Sequence, residues 1–494
     1  MTKKTRRNCA KVAMAAVALT MAASMSASSL AVFARESSNS LVGAGHLYES
    51  DYNSFQEVID ADADLNVRLA AEGFVLLKNK NNALPLASSE KNLTVLGAAQ
   101  TNVAYGGSGS GAQGTPGQTG VASAGPQVDL ISGLEASGFK VNPRTMQRYR
   151  TGGTVLSGYV DVCHYMDKDN DAADGYVEFA GNKYKPAADG FLAPIESSFN
   201  VYDDAAVVII SRTGSEFSDN GAVNVAGHDD IKEHNQMLNY REKELLAYAK
   251  AHFDKVVVLL NSPSVMEIGD IESDEGIDAV LWIGQPGWNG SLAVGQILNG
   301  EVNPSGRTVD FWMKSIYTDP TSYNFGTYAI ANGLLNDQWS DYRSGSMPMM
   351  LDKDGENNST GEVAMDYAES IYLGYRYYET VAADMNAVEP GTGDAWYEAN
   401  VLYSFGYGLS YTTFTKTIKS ISTESIAEKD KDGTVKVVVE VTNTGKVAGK
   451  EVVQVYSHAP YYAGGIEKAE RDLVGFGKTS LLKPGKTETI TIEF

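Results

Sequence analysis

Ser211-Arg212-Thr213-Gly214-Ser215-Glu216 follows an unbroken apolar run, Ala205-Ala206-Val207-Val208-Ile209-Ile210. A short run of that composition reads as a buried strand. Glu216 then stands just past the carboxyl end of a strand, beside an arginine and small, turn-forming residues. In open α/β sheets, ligands sit outside those strand ends. A carboxyl group at that position is placed to give a proton to something in a cleft, with Arg212 as a candidate ligand-binding side chain. The bland reading of an isolated Glu after a strand is a solvated loop residue, so its surroundings must decide.

The surrounding elements form a layered α/β pattern. Apolar runs at 93–96, 205–210, 256–260 and 277–283 are short, rich in Val, Ile and Leu, and end in Gly, Asn, Ser or Pro. This is the pattern of parallel strands buried on both faces. Helical spacing of apolar residues marks 54–71 and 231–252, and a further helix, 291–298, follows a Gly-Trp-Asn-Gly turn. Strands alternating with helices predict an α/β sandwich with a mostly parallel sheet over 35–414. Long stretches near 140–200 and 313–365 lack periodicity and read as insertions. Near 415 the composition changes. Alternating segments at 418–421, 434–441, 450–456, 473–476 and 487–494 predict an all-β, immunoglobulin-like module over 415–494. Five strands are fewer than the roughly seven of a complete sandwich, so the module reads as truncated.

Bulk composition narrows the function. The 494 residues imply more than one domain, and 43% hydrophobic content supplies sizeable cores. A formal net charge of −22 argues against nucleic acid and anionic membranes as partners and is compatible with neutral ligands. Residues 1–34 read as a signal peptide. Lys3, Lys4, Arg6, Arg7 and Lys11 form a basic start, an Ala- and Ser-rich apolar stretch follows, and Val32-Phe33-Ala34 offers a cleavage site. A secreted protein is expected, with an uncleaved membrane anchor as the alternative. Of the two cysteines, Cys9 lies in that segment, leaving Cys163 without an intrachain disulfide partner. The Cys and His content excludes a zinc cage, and no cofactor is expected.

Two weaker motifs are set aside. Gly109-Ser110-Gly111-Ala112-Gln113-Gly114 matches a dinucleotide loop in letters, yet Thr115-Pro116-Gly117 follows where a helix should begin. Asp167 to Asp171 with Glu178 resembles a calcium loop, but Ala172 occupies the position where the sharp turn favours glycine, and no helices flank it. His164, His228 and His234 show no metal spacing.

Ala70-Ala71-Glu72-Gly73-Phe74-Val75-Leu76-Leu77-Lys78-Asn79, then Ala83-Leu84-Pro85-Leu86, is similar to the opening of the second domain of glycoside hydrolase family 3. Gly106 to Gly111, Ser211 to Glu216, Gly284-Gln285-Pro286-Gly287 and Asn303-Pro304-Ser305-Gly306-Arg307 continue the match. Tyr372 to Tyr378 and Phe405-Gly406-Tyr407-Gly408-Leu409-Ser410-Tyr411 complete it. The stretch after 415 resembles the family's fibronectin type III-like module. The resemblance implies retaining, β-glucosidase-like hydrolysis of a β-linked oligosaccharide or glycoside. Such a reaction needs two carboxyl groups roughly 5 Å apart. Glu216 maps onto the family's acid/base, although Phe217-Ser218-Asp219-Asn220 lacks the arginine that usually follows. The nucleophile belongs to a (β/α)₈ barrel of roughly 250 residues, and no Ser-Asp-Trp-like motif for it occurs here. The chain therefore reads as the acid/base half of a permuted member, with the barrel as an expected partner domain. Trp288, in a strand-end loop, offers a sugar-stacking face or packs under the next helix. The Tyr-rich segment 372–378 is expected to pack between layers. A non-catalytic carbohydrate-binding or scaffold protein is the alternative function.

Overall fold

The computed structural model describes residues 51–101, 103–106, 127–151, 192–212, 236–238, 240–321, 369–422, 433–462 and 464–494. Contacts divide the chain into two units, 1–61 and 62–494. The described part of the first unit opens helix α1 (Phe55–Gly73), where Ser54 Oγ accepts from the Glu57 backbone N–H at 3.2 Å and caps the helix start. Among the described residues the other helices are α2 (Leu130–Ala136), α3 (Pro143–Thr151), α4 (Tyr240–His252), α5 (Gly269–Ser273), α6 (Ser291–Leu298), α7 (Tyr375–Val388) and α8 (Thr392–Asn400).

Six strands form the central sheet: β1 (Val75–Asn79), β2 (Asn92–Leu96), β3 (Lys140–Val141), β4 (Ala205–Ser211), β5 (Val256–Asn261) and β6 (Ala279–Trp282). Their spatial order is β1-β6-β5-β4-β2-β3. All neighbours from β6 to β3 run parallel, and β1 closes one edge antiparallel to β6. The four predicted strands are the four central ones. Their continuous apolar runs are needed because both faces are covered. Ala206, Val208, Ile210, Val258 and Leu260 face a core shared with Leu245, Leu246 and Ala249 of α4. Val207, Ile209, Val257 and Leu259 face the opposite core, with Leu130 and Leu134 of α2 and Val294 and Ile297 of α6. Each Val, Leu or Ile among them contributes about 1.5–3 kcal/mol by leaving water. The helix predicted over 231–252 begins at Tyr240; residues 236–238 instead form a turn and a bridge from Met237 to Glu267.

Beyond the sheet, β7 (Trp312–Met313) pairs with β8 (Val401–Tyr403). The tyrosines after 372 pack as expected. Tyr378 is fully buried with its ring 4.3 Å from that of Phe311, and its hydroxyl lies 2.8 Å from Thr318 Oγ1.

The module contains β9 (Phe414–Ser422), β10 (Lys436–Asn443), β11 (Val452–Ser457), β12 (Asp472–Lys478) and β13 (Thr487–Glu493). They form an antiparallel three-stranded sheet, β13-β10-β9, and a two-stranded sheet, β11-β12. Val437, Val439 and Val441 alternate into a small core with Val453, Leu482 and Ile492. Charges tie the module to the sandwich. Arg307 Nη2 donates to both carboxylate oxygens of buried Glu451 at 3.0 and 2.9 Å, and Lys450 and Lys478 both pair with Glu72.

Candidate functional site

The carboxyl edge of the parallel strands gathers four loops. β2 is followed by Gly97, whose φ is +107° and where a Cβ would lie 2.4 Å from the Ile209 carbonyl oxygen. Only glycine permits this close crossing onto the neighbouring strand. The chain then turns through a 3₁₀ helix, Ala98–Thr101, toward Ala104 and Tyr105. β4 delivers Ser211 and Arg212, β5 delivers Asn261 and Ser262, and β6 leads through Ile283 to the Gly284–Trp288 loop.

One buried carboxamide stitches these loops together. Asn261 Oδ1 accepts from the Ala104 backbone N–H at 2.7 Å and from Ser211 Oγ at 3.0 Å. Its Nδ2 donates to the carbonyls of Ala104 at 3.0 Å and Gly284 at 2.7 Å. All of this group's principal hydrogen-bonding capacity is therefore used, which fixes the relative positions of three strand ends. Sequence reading passed over Asn261. Its only local signal is a polar residue closing the apolar run Val256–Asn261.

Arg212 is 1% exposed and Glu242 is 3% exposed. The guanidinium donates from Nη1 to Glu242 Oε1 at 2.6 Å and from Nη2 to Oε2 at 2.8 Å, a bidentate pair. Nη1 also donates to the Ser211 carbonyl at 2.9 Å, and Nη2 to the Met237 carbonyl at 2.8 Å. The Arg212 backbone N–H continues the ladder to the Asn261 carbonyl at 2.9 Å. The residue expected to touch a ligand directs these guanidinium bonds into the protein, because helix α4 carries a carboxylate to the strand end. Glu216, with the nearby acids Asp219 and Glu233, lies outside the described residues, four positions beyond this clamp. The Gly109–Gly114 loop, the Asp167 segment, Cys163, His164, His228, His234 and residues 1–34 also lie outside them.

Trp288 is half-buried and packs against the core that contains α2 and α6. Its carbonyl accepts from the Val128 N–H at 2.8 Å, and Gly287 N–H donates to the Tyr105 carbonyl at 2.8 Å. Asn66 of α1 braces the loop, donating to the Pro286 carbonyl at 2.8 Å and accepting from the Asn289 N–H at 2.7 Å. The indole is packed, and its buried Nε1 has no hydrogen-bond partner among the described residues. The same holds for Gln285 Nε2 and Gln100 Oε1. Gln100 is fully buried, whereas Gln285 and Trp288 lie in partly exposed positions of the strand-end loop. Burial, then the nearby Asp129, pushes the Tyr105 hydroxyl well up, so it stays neutral at physiological pH. Among the described residues no cluster of three or more metal-binding side chains occurs, and no helix is long and apolar enough to cross a membrane.

Comparison with known proteins agrees with this architecture. The glycosyl hydrolase family 3 C-terminal domain matches residues 74–411, and the fibronectin type III-like domain matches residues 451–494. The chain is similar to beta-glucosidase A of Butyrivibrio fibrisolvens, 28% identical over 457 residues, covering 87% of this chain and 45% of that protein. It is similar to a beta-glucosidase of Ruminococcus albus, 30% identical over 441 residues, covering 89% and 36%. Among solved structures, a beta-glucosidase from Paenibacillus barengoltzii superposes with a TM-score of 0.61 at 29% identity, covering 87% of this chain and 38% of that one. Beta-glucosidase 3B of Thermotoga neapolitana gives 0.61 at 26% identity, covering 88% and 48%. The chain thus spans less than half the length of these relatives.

Proposed function

The chain belongs to glycosyl hydrolase family 3, and from that premise we propose that it supplies the acid/base half of a retaining, β-glucosidase-like glycoside hydrolase acting on terminal β-linked sugars. In this reading Glu216 protonates the leaving oxygen and later activates water. The nucleophilic carboxylate comes from a (β/α)₈ barrel outside these 494 residues. A lone acid leaves the anomeric carbon without a covalent partner, so hydrolysis requires both.

The observation that supports this reading best is the Arg212–Glu242 clamp at the carboxyl end of β4. A proton donor must be held to within about 0.5 Å of its productive position. The last described residue before Glu216 is locked by a bidentate ion pair and by the network around Asn261. Arg212 acts here as a positioning residue. Trp288 and Gln285 offer donors at the rim to the sugar or its leaving group. Residues 1–34 direct export, which amino-terminal sequencing of the mature protein checks; an intact amino terminus retained with membranes would instead make the segment an anchor.

The function is tested with Glu216→Ala in a protein that includes the barrel. Substrates with poor leaving groups should slow far more than activated aryl glycosides, which depart with little protonation. A glycosyl-enzyme should accumulate, and azide, which needs no base, should restore turnover as a β-glycosyl azide. Equal slowing of every substrate with no azide rescue would remove Glu216 from catalysis.

A further inference from the structure

A cavity of about 640 Å³ lies between helices α7 and α8 of the sandwich and the chain of the module around β11 and β12. Its size is within the range of small-molecule sites. Glu379 of α7, Tyr397 of α8, Phe405, Gln454 and Tyr456 of β11, and Arg471 just before β12 line it. None of the strand-end residues around Asn261 and Arg212 contributes.

The lining combines rigid rings with unsatisfied polar groups. Phe405 packs on Tyr375 with ring centroids 4.7 Å apart, and Tyr456 meets the same ring edge-on at 6.1 Å. Tyr375 is itself held, because its hydroxyl accepts from the Leu473 N–H at 2.9 Å. Beside these rings, Glu379 Oε2 is buried without a hydrogen bond, and Arg471 Nε stands 3.4 Å away. That separation is too long for a good N–H···O bond. Gln454 Oε1 accepts from the Tyr456 hydroxyl at 3.0 Å, which orients the carboxamide. Burial raises the Glu379 carboxyl above its usual range. Burial and then Glu379 push the Tyr397 hydroxyl up to about 12, keeping it a neutral donor.

Acceptor, guanidinium, carboxamide and phenol therefore converge around aromatic surface. Two of the other carboxylates at the cavity have protein partners: Asp394 accepts from Asn386 Nδ2 at 2.8 Å, and Glu470 lies 3.3 Å from His458 Nδ1. A ligand with hydroxyls along its edge and an apolar C–H face satisfies both kinds of wall without adding charge.

We propose that this cavity between sandwich and module binds a neutral saccharide unit, at a site separate from the strand-end cleft. The inference is independent of any role for Glu216. It is tested by calorimetric titration of cellobiose into the full chain and into its Glu379→Gln and Tyr397→Ala variants, with melting curves confirming that each folds. Saturable binding is expected in the full chain and should weaken about tenfold or more in both variants, the loss of one charge-assisted hydrogen bond or one ring contact. A Tyr397→Phe variant, which keeps the ring and its packing, should bind more tightly than Tyr397→Ala. Absence of saturable binding overturns the proposal. So does unchanged affinity in both Glu379→Gln and Tyr397→Ala, or saturable binding of spermidine in place of cellobiose. Failure of Glu216 in the hydrolysis assay would leave these titrations unchanged, so the two readings fail separately.

Discussion

Removing the carboxylate from the Arg212–Glu242 pair should be among the most damaging single changes at the strand-end site. Both residues are almost wholly buried, and the pair is bidentate at 2.6 and 2.8 Å. Glu242→Ala removes a bidentate carboxylate from a desolvated guanidinium that also donates to the Ser211 and Met237 carbonyls. Breaking one side of a buried pair costs about 3–5 kcal/mol. With an unfolding entropy of about 2.1 cal/mol/K per residue over the roughly 340 residues of the sandwich, the melting temperature should fall by roughly 4–7 °C. Near-ultraviolet circular dichroism melts of the full chain measure this. The double variant Arg212→Met/Glu242→Leu removes both charges while keeping apolar volume, and should recover much of the loss, because an apolar replacement avoids the desolvation cost. In a protein that includes the barrel, Glu242→Ala should also lower kcat more than it raises KM, since it loosens the chain leading to Glu216 without removing a ligand contact. A shift below about 2 °C for Glu242→Ala, or a double variant as unstable as the two single losses added together, would refute the reasoning.

Other perturbations follow from the same contacts. At Gly306 a Cβ would lie 2.4 Å from the Phe74 carbonyl oxygen and 2.5 Å from that of Gly73, so Gly306→Ala should destabilise the sandwich by about 1–3 kcal/mol, read in denaturant titration. Burial raises the Glu72 carboxyl, but Lys450 and Lys478 outweigh it and hold the group below its usual range. Its contribution is present above the unfolded carboxyl's pKa and is lost as pH falls through the lower folded value. Release of the module by protease should therefore accelerate on acidification from about pH 5 to about pH 3, and Glu72→Gln should flatten that dependence. Asp319 is shifted the opposite way: burial raises its carboxyl despite the Thr321 N–H that it accepts at 3.1 Å. The folded state then holds the proton more tightly, so this group favours folding at low pH and loses that advantage as pH rises through its folded value. Asp319→Asn keeps the acceptor oxygen and should reduce the loss of melting temperature between about pH 4 and pH 6.

The layered α/β class and the four central strands were legible in the local pattern of residues. A strand covered on both faces must be apolar at every position, and a run such as Ala205 to Ile210 has little else to be. The small module was legible through the alternation of Val437, Val439 and Val441, because one face of that sheet is buried and the other is not. Edge elements escaped: β1 carries Lys78 and Asn79 in an antiparallel register at the sheet's rim, and β3 has only two residues. The Ser211 to Glu216 segment was recognisable as a strand end followed by a carboxyl group, since both features are local. Its supports were not. Glu242 lies 30 residues beyond Arg212 on a helix, and Asn261 joins Ala104, Ser211 and Gly284 from three separate parts of the chain. The cavity lined by Glu379 and Arg471 likewise unites helices with module strands. Local periodicity reports which face of an element is buried, but not which element lies against it. The order β1-β6-β5-β4-β2-β3 and the docking of the module place those partners, through burial and pairing terms that exist only once distant segments meet.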